Sequence, residues 1–205
     1  MTVELLLFDL GGVVVDYVGF SEIQALLSEA VTPEELQERW RACGAEGFET
    51  GHITPSQFAE ALGSVLAINV PPDEFLRHFE SWSVGFMPGA VELLAELRPH
   101  YRLAALSNSN ELHWRRNAAV GVPDEFEAAF SSHELHLRKP DRAIYEEALR
   151  RLDVPAANVV FFDDMQMNVE AALEVGMQAH RVVGVEGLRA CMLENGYLPP
   201  AGVSK

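Results

Sequence analysis

Four short, mostly apolar runs recur along the chain. They are LLLF (5–8), RLAALS (102–107), VVFF (159–162) and HRVV (180–183). Their apolar positions do not alternate with polar ones, as they would in a strand with one face in water. Continuous apolar runs of this length are typical of parallel strands that are covered on both faces of a sheet. We therefore predict four buried parallel strands.

Helical patterns fill the intervals between these runs. One helix is predicted to begin at Pro88–Gly89, a second begins at Pro140–Asp141, and a third ends at Gly176, a typical C-cap residue. Their predicted buried faces are Val91, Leu94 and Leu97; Ile144, Ala148 and Leu152; and Val169, Ala172 and Leu173. Strands that alternate with helices indicate an α/β fold with a doubly wound parallel sheet.

Residues 17–87 follow a different pattern and lack a convincing strand. Thr32 and Thr54 are each followed by proline and, at the third position, by Glu or Gln, which is the pattern of a capped helix start. We predict that 17–87 form a small helical cap domain. The cap is inserted into an α/β core domain formed by residues 1–16 and 88–205.

The charge of the chain narrows the possible functions. A chain of 205 residues fits one domain with a small insertion. Its 31 acidic residues against 15 Lys and Arg give a formal net charge of −16, which opposes binding to nucleic acid or to an anionic membrane. The negative electrostatic potential that this charge creates also repels a phosphorylated substrate. An anion site must therefore be built locally from a cation, backbone N–H groups or a metal.

The cysteines and the apolar runs favour a cytoplasmic protein. Cys43 and Cys191 lie far apart and outside metal-binding spacings, so we expect reduced thiols. The first apolar run has no basic segment before it and is interrupted by Asp9, so we expect no signal peptide. No apolar stretch approaches the ~20 residues of a membrane span. The oligomeric state is not predictable from these patterns.

Polar side chains follow three of the predicted strands. The first strand ends at Asp9, the second at Ser107–Asn108 and the third at Asp163–Asp164, and Lys139 lies between the last two. Each alone is common in turns, helix caps or solvated surfaces. Ligands of open parallel sheets bind beyond the carboxyl ends of the strands, where these residues would meet. Together they predict a functional site at that edge.

Four segments carry a resemblance to a known family. FDLGGVVVD (8–16), ALSNSN (105–110), RKPD (138–141) and FFDDMQMNVEAA (161–172) resemble motifs I to IV of the haloacid dehalogenase-like hydrolases, which have a Rossmann-like core. FETGHITPSQF and SNSNELHW look like segments of small-capped sugar-phosphate phosphatases similar to α-D-glucose-1-phosphate phosphatase. The resemblance implies a phosphatase that acts on a small phosphorylated metabolite.

The resemblance also implies residue roles. Asp9 would be the nucleophile that forms an aspartyl-phosphate. Asp9, Asp164, Asp163 and the backbone carbonyl of Gly11 would bind Mg²⁺. Lys139 would keep Asp9 ionised and contact the phosphate.

The remaining implied roles concern the phosphate. Ser107 would donate its hydroxyl to a phosphate oxygen, and backbone N–H groups near Asn108 would add further donors. Gly12 would let the backbone turn sharply toward the phosphate and the cap. Asn168 would orient the metal ligands.

Gly11 departs from the family pattern. That position usually holds a second Asp, which protonates the leaving group and then activates water. Such a general acid/base is typically worth ~10²–10⁴ in rate. One hypothesis is a phosphatase that tolerates the loss through a good leaving group or a borrowed acid. A second is a catalytically weak binding or regulatory relative. A third is a metal-independent 2-haloacid dehalogenase, which does not account for Asp163 beside Asp164.

Three side chains are candidates for a borrowed acid. His113 follows Ser107 in the next helix, where it could face the pocket and contact substrate, although we expect it on the helix surface. His52 lies in a cap turn that could reach over the site, and Asp16 is expected to form a turn. Of the aromatic residues, we expect Trp114 at the mouth of the site. The others are interpreted as ordinary core packing: Trp40, Trp82, Phe58, Phe75 and Phe79.

Overall fold

A five-stranded parallel sheet forms the centre of the computed structural model, which describes residues 2–19 and 22–198. The strands within these residues are β1 (Leu5–Phe8), β2 (Val15–Tyr17), β3 (Ser83–Phe86), β4 (Arg102–Ser107), β5 (Ala128–Ser131), β6 (Val159–Asp163) and β7 (Gln178–Arg181). The sheet has the order β5-β4-β1-β6-β7. The chain winds outward from β1 on one side through β4 and β5, and then on the other through β6 and β7. The predicted doubly wound α/β fold is confirmed.

Helices cover both faces of this sheet. The α-helices are α1 (Pro33–Ala42), α2 (Ala45–Glu49), α3 (Pro55–Val65), α4 (Pro72–Glu80), α5 (Ala90–Leu97), α6 (Glu111–Ala119), α7 (Ser132–Leu135), α8 (Arg142–Leu152), α9 (Gln166–Val175) and α10 (Gly184–Glu194). Short 3₁₀ turns occupy Ile23–Leu26, Pro123–Glu125 and Ala156–Asn158. None of these helices in the described part of the chain has the length and apolar character needed to cross a membrane.

Alternate side chains of β1 supply the two hydrophobic cores. Leu6 and Phe8 pack in the cluster that includes α5 and α10, whereas Leu5 and Leu7 pack in the cluster with α8 and α9. All four are fully buried because successive side chains of a strand point to opposite faces. This explains why the run LLLF is apolar at every position.

Several predicted strand bounds and buried positions differ from those of the structure. The last strand is Gln178–Arg181 and not 180–183, and β5 was missed. Val91 is exposed because the buried face of α5 is Ala90, Leu93, Leu94 and Leu97, with the spacing i, i+3, i+4 and i+7. Leu173 is also exposed, since it lies one position past buried Ala172.

The segment between β2 and β3 is mostly helical. Helices α1 to α4 surround an aromatic cluster that includes Phe48, Phe58, Phe75 and Phe79, and Leu112 of α6 joins it from the sheet side. The expectation of no strand within 17–87 was wrong, because Ser83–Phe86 pairs antiparallel with Val15–Tyr17. A glycine inside SVGF weakens its strand pattern.

The predicted capping boxes form at the starts of α1 and α3. The Thr32 hydroxyl accepts from the Glu35 N–H, and the Thr32 N–H donates to the Glu35 carboxylate. Thr54 and Gln57 repeat the arrangement. The division into a core domain and a cap domain at residues 17 and 87 remains a proposal. Residues 1, 20–21 and 199–205 of these predicted domains lie outside the described residues.

Candidate active site

A cavity of about 380 Å³ opens beyond the carboxyl ends of β1, β4 and β6. Asp9 follows β1, Ser107 ends β4, and Asp164 follows β6, and all three line the cavity. Gly11 and Gly12 line it as well. The strand-end residues therefore converge, as expected from parallel strands whose carboxyl ends share one edge of a sheet.

A buried lysine joins two carboxylates beneath this cavity. Lys139 Nζ lies 3.0 Å from Asp9 Oδ1 and donates to Asp163 Oδ2 at 2.7 Å. Burial alone lowers the pKa of Lys139, but attraction to Asp9 and Asp163 outweighs it and the pKa is raised. Burial raises the pKa of Asp9 to about 7 against the opposing effect of Lys139. A cation at the cavity would favour the ionised form of Asp9.

The carboxylate of Asp163 is fully buried and saturated with donors. It accepts from Lys139 Nζ, from Asn168 Nδ2 at 2.9 Å and from the backbone N–H of Met165 at 2.8 Å. Asp163 is therefore held as a fixed partner of Lys139. The neighbouring Asp164 is the carboxylate of the pair that lines the cavity.

The acidic residues fit a hard divalent cation. Asp9, Asp163 and Asp164 each offer a carboxylate oxygen, and these oxygens lie within 4.8 Å of one another. Mg²⁺ and Ca²⁺ prefer such oxygen ligands. Because Asp163 already accepts three kinds of donor, Asp9 and Asp164 are the better placed ligands.

The two glycines after Asp9 differ sharply in their surroundings. Gly12 has a φ of +74°, and a Cβ there would lie 2.8 Å from Asp164 Oδ2. Gly12 is therefore needed for the close approach of Asp164. A Cβ at Gly11 would meet no atom of the described residues within 4 Å, so a Cβ is sterically tolerated at that position.

The polar residues after β4 hold the backbone around the site. Asn108 Nδ2 donates to the Lys139 carbonyl at 2.9 Å, and the Lys139 N–H donates to Asn108 Oδ1 at 2.8 Å. Asn108 thereby fixes the backbone that carries the buried lysine. Asn110 Oδ1 accepts from the N–H groups of Leu112 and His113, and so caps α6. Ser107 lines the cavity beside Asn108.

His113 is buried at the cavity, so its expected place on the helix surface was wrong. Its Nε2–H donates to the Phe79 carbonyl at 2.7 Å, which leaves Nδ1 to accept from Asn110 Nδ2 at 3.0 Å. Burial lowers the pKa of His113 to about 4. A neutral imidazole with both nitrogens engaged cannot supply the missing acid.

Three other predicted residues are not brought to the cavity. His52 is exposed, with Nδ1 at 2.8 Å from Thr50 Oγ1, and Asp16 is exposed on β2. The Trp114 ring lies 6.3 Å from that of His133 and packs on the core. Trp40 packs against the cap core, as predicted, and it also lines the cavity, which Trp114 does not.

The cap contributes two residues that sequence reasoning missed. Glu49 ends α2 and Tyr17 ends β2, and both line the cavity. The Tyr17 ring packs edge-on against His113 with centroids 5.2 Å apart. The sequence signal for Glu49 is FETG, in which the acid precedes a glycine turn, whereas the candidate predicted from that turn is His52. Four cap side chains complete the lining, and we call them the aromatic wall: Trp40, Phe48, Phe58 and Phe79. Trp40 is partly exposed, whereas the three phenylalanines are buried in the cap cluster, as predicted for Phe58 and Phe79.

Comparison with known proteins agrees with this architecture. The model of the haloacid dehalogenase-like hydrolase family matches residues 3–176. A sesquiterpene phosphatase of Aspergillus oryzae is 31% identical over 93% of this chain and 94% of its own length. A D-ribitol-5-phosphate phosphatase of Bacteroides thetaiotaomicron is 22% identical over 86% of this chain and 90% of its own length.

A solved structure shows the same fold. A haloacid dehalogenase family enzyme of Bacteroides thetaiotaomicron superposes with a TM-score of 0.76 at 22% identity, covering 89% of this chain and 94% of that one. Its complex with magnesium and inorganic phosphate gives a TM-score of 0.71, covering 88% and 94%. The family match over most of the chain confirms the resemblance of the four motifs, and the chain belongs to the haloacid dehalogenase-like hydrolases.

Proposed function

We propose that this hydrolase is a Mg²⁺-dependent phosphatase that cleaves a small phosphate monoester through an aspartyl-phosphate on Asp9. The observation that carries the proposal is the ion pair of Asp9 with buried Lys139, at 3.0 Å, in the cavity that Asp164 also lines. A carboxylate beside a lysine and a cation site is suited to attack phosphorus once the bound cation favours its ionised form. The phosphatase names of the two relatives support the same reaction.

The metal would be held by Asp9, Asp164 and the backbone carbonyl of Gly11, with Asp163 behind them. With Mg²⁺ bound, the charge of the phosphate and of Asp9 is offset, which the approach of two anions requires. The similarly folded Bacteroides enzyme was crystallised with magnesium and inorganic phosphate, which supports Mg²⁺ as the metal. Asn168 orients Asp163 through its amide, so its role is to position the acidic pair.

The phosphate would lie against Ser107, Lys139 and the backbone N–H groups near Asn108 and Gly12. Asp9 attacks phosphorus, and the ester oxygen leaves on the side away from Asp9. Lys139 stays protonated, and its charge together with that of the metal would favour the anion of Asp9 against the effect of burial. Water then releases phosphate from Asp9.

Trp40, the partly exposed member of the aromatic wall, favours an organic group with an apolar face. Trp40, Phe48, Phe58 and Phe79 meet the polar strand-end residues in one cavity, so an ester can place its phosphate on one side and its organic group on the other. An organic group that carries only hydroxyls would find no hydrogen-bond partners for these hydroxyls on the aromatic wall. We propose an aryl or prenyl phosphate ahead of a sugar phosphate, in keeping with the name of the Aspergillus relative.

Gly11 supports one alternative, a catalytically weak regulatory relative, because the usual acid/base is missing. Hydrolysis of an aryl phosphate tests both, since its leaving group needs little protonation. Turnover that needs Mg²⁺ and is lost in Asp9→Asn supports the phosphatase. No turnover by the wild type overturns it, and halide release from a 2-haloacid without metal would establish the dehalogenase.

A further inference from the structure

The cavity contains a carboxylate that the proposed mechanism does not use. Among the described residues that line it, five carry titratable side chains: Asp9, Tyr17, Glu49, His113 and Asp164. Asp9 and Asp164 serve as nucleophile and metal ligand. His113 is neutral with both nitrogens engaged. A tyrosine phenol has an ordinary pKa of about 10, which makes Tyr17 a poor acid beside a carboxyl group. Glu49 remains.

The turn that carries Glu49 is fastened to the core. Ser132 Oγ donates to the Glu49 carbonyl at 2.6 Å, and His136 Nδ1 donates to the Thr50 carbonyl at 2.8 Å. The next residue, Gly51, approaches so closely that a Cβ would collide with the carbonyl oxygen of His133. These contacts fix the end of α2 over the sheet edge, although Glu49 belongs to the proposed cap.

The surroundings of the Glu49 side chain suit a group that gains and loses a proton. It is 31% exposed, and its Oε2 lies 3.2 Å from Arg138 Nη2. Burial raises the pKa of Glu49, attraction to Arg138 opposes that rise, and Glu46, which also pairs with Arg138, adds to it. The net direction is upward, toward the range in which a carboxyl can act as both acid and base.

We propose that Glu49 is the general acid/base of this enzyme and fills the role that Gly11 leaves empty. The assignment rests on the proposed phosphatase function. As Asp9 bonds to phosphorus and the P–O ester bond breaks, the Glu49 carboxylic acid gives its proton to the leaving oxygen. Glu49 carboxylate then takes a proton from the water whose oxygen attacks phosphorus. The Asp9–phosphorus bond breaks, and inorganic phosphate and the starting enzyme are restored.

The size of the cavity makes this transfer feasible. About 380 Å³ is within the range of small-ligand pockets, and Asp9 and Glu49 both line this one cavity. A general acid acts through a direct hydrogen bond or through one water. Glu49 and Gly11 line the same cavity, so the proton can enter from the cap instead of from the loop after β1.

The test compares Glu49→Gln with Glu46→Gln. Both substitutions remove a carboxylate that pairs with Arg138 at 3.2 Å, but Glu46 does not belong to the described lining of the cavity. With an alkyl phosphate and Mg²⁺, Glu49→Gln should lower kcat by about 10²–10⁴. Glu46→Gln should stay close to the wild-type rate.

An aryl phosphate separates the two proton transfers. Glu49→Gln should keep the initial burst of aryl alcohol, which needs no acid, and lose the later steady rate, which needs a base to activate water. The pH–rate limb that depends on Glu49 should vanish. Adding Gly11→Asp to Glu49→Gln should restore the steady rate, because it returns a carboxyl group to the cavity and a Cβ at Gly11 meets no described atom within 4 Å.

Each result has a definite meaning. Equal rates in Glu49→Gln and Glu46→Gln, or a burst slowed as much as the steady rate, overturn the role of Glu49. These results leave the proposed phosphatase function intact. Failure of Gly11→Asp to restore a folded Glu49→Gln protein also contradicts it. Absence of turnover by the wild type on both substrates overturns the proposed function, and with it this assignment.

Discussion

Lys139 Nζ lies 3.0 Å from Asp9 Oδ1 while it donates to Asp163 at 2.7 Å, and the lysine is 1% exposed. The ion pair therefore belongs to the interior and not to the surface. Removal of one partner from such a buried pair leaves an uncompensated charge, which is far more costly than the loss of an exposed pair.

Lys139→Met should destabilise the protein by about 3–5 kcal/mol, because two buried carboxylates lose their cation. Adding Asp163→Asn should recover part of that loss. The control is Arg142→Met, which breaks an exposed i,i+4 pair with Glu146 and should cost less than about 1 kcal/mol. Urea unfolding measures all three, and equal losses at the two sites would contradict the account.

Gly12→Ala should weaken the metal site, because a Cβ there collides with Asp164 Oδ2 and the positive φ disfavours alanine. We expect a loss of about 10–100-fold in Mg²⁺ affinity, the range seen when the groups around metal ligands are disturbed. Gly11→Ala is the matched control, since no described atom lies within 4 Å of its Cβ. Calorimetric Mg²⁺ titration compares the two, and similar affinities would refute the role of Gly12.

His113→Gln should cost about 1–3 kcal/mol at pH 7, through the loss of buried hydrogen bonds to Phe79 and Asn110. In the wild type, burial holds the pKa of His113 at about 4, below the unfolded value of 6.5. The unfolded state therefore binds more protons between these values, and this contribution to stability is complete above pH 6.5 and is lost as the pH falls toward 4.

The difference in unfolding free energy between wild type and His113→Gln should therefore shrink on acidification. Urea unfolding of both proteins at pH 7 and at pH 5 measures it. A difference that grows at pH 5 would mean that the folded protein binds a proton at this histidine.

Trp40→Ala should reduce kcat/KM for an aryl or prenyl phosphate about tenfold through the loss of aromatic contact, with a smaller effect on a sugar phosphate. Trp114→Ala removes the same side chain from a site on α6 that packs on the core. It should leave the substrate preference unchanged. If the substrate preference changes in Trp114→Ala but not in Trp40→Ala, then Trp114 and not Trp40 lies at the mouth of the site.

The strand-end residues were predictable because their meeting follows from strand direction alone. Parallel strands that end at Asp9, Ser107 and Asp163 must share one edge, and RKPD identified Lys139 through the resemblance. The bounds of β7 were predicted two residues too late, and β5 was not predicted at all. Both strands are short, and their pairing is determined by the neighbouring strands and not by their own sequence pattern.

The cap residues of the site were not predictable in the same way. Glu49 reaches the cavity because its turn is bound by Ser132 and His136, which lie more than 80 residues away in sequence. His113 is buried because Phe79 covers it, a contact between two helices that periodicity does not specify. Such long-range packing determines which of several similar side chains faces the ligand.

The most direct test of the account is to identify the residue that becomes phosphorylated. Enzyme turning over an aryl phosphate with Mg²⁺ is quenched and reduced with borohydride, which converts an aspartyl-phosphate to homoserine, and its peptides are mapped by mass spectrometry. We predict homoserine at Asp9 in the wild type and none in Asp9→Asn. Turnover without modification at Asp9, or modification at another residue, would contradict the central claim.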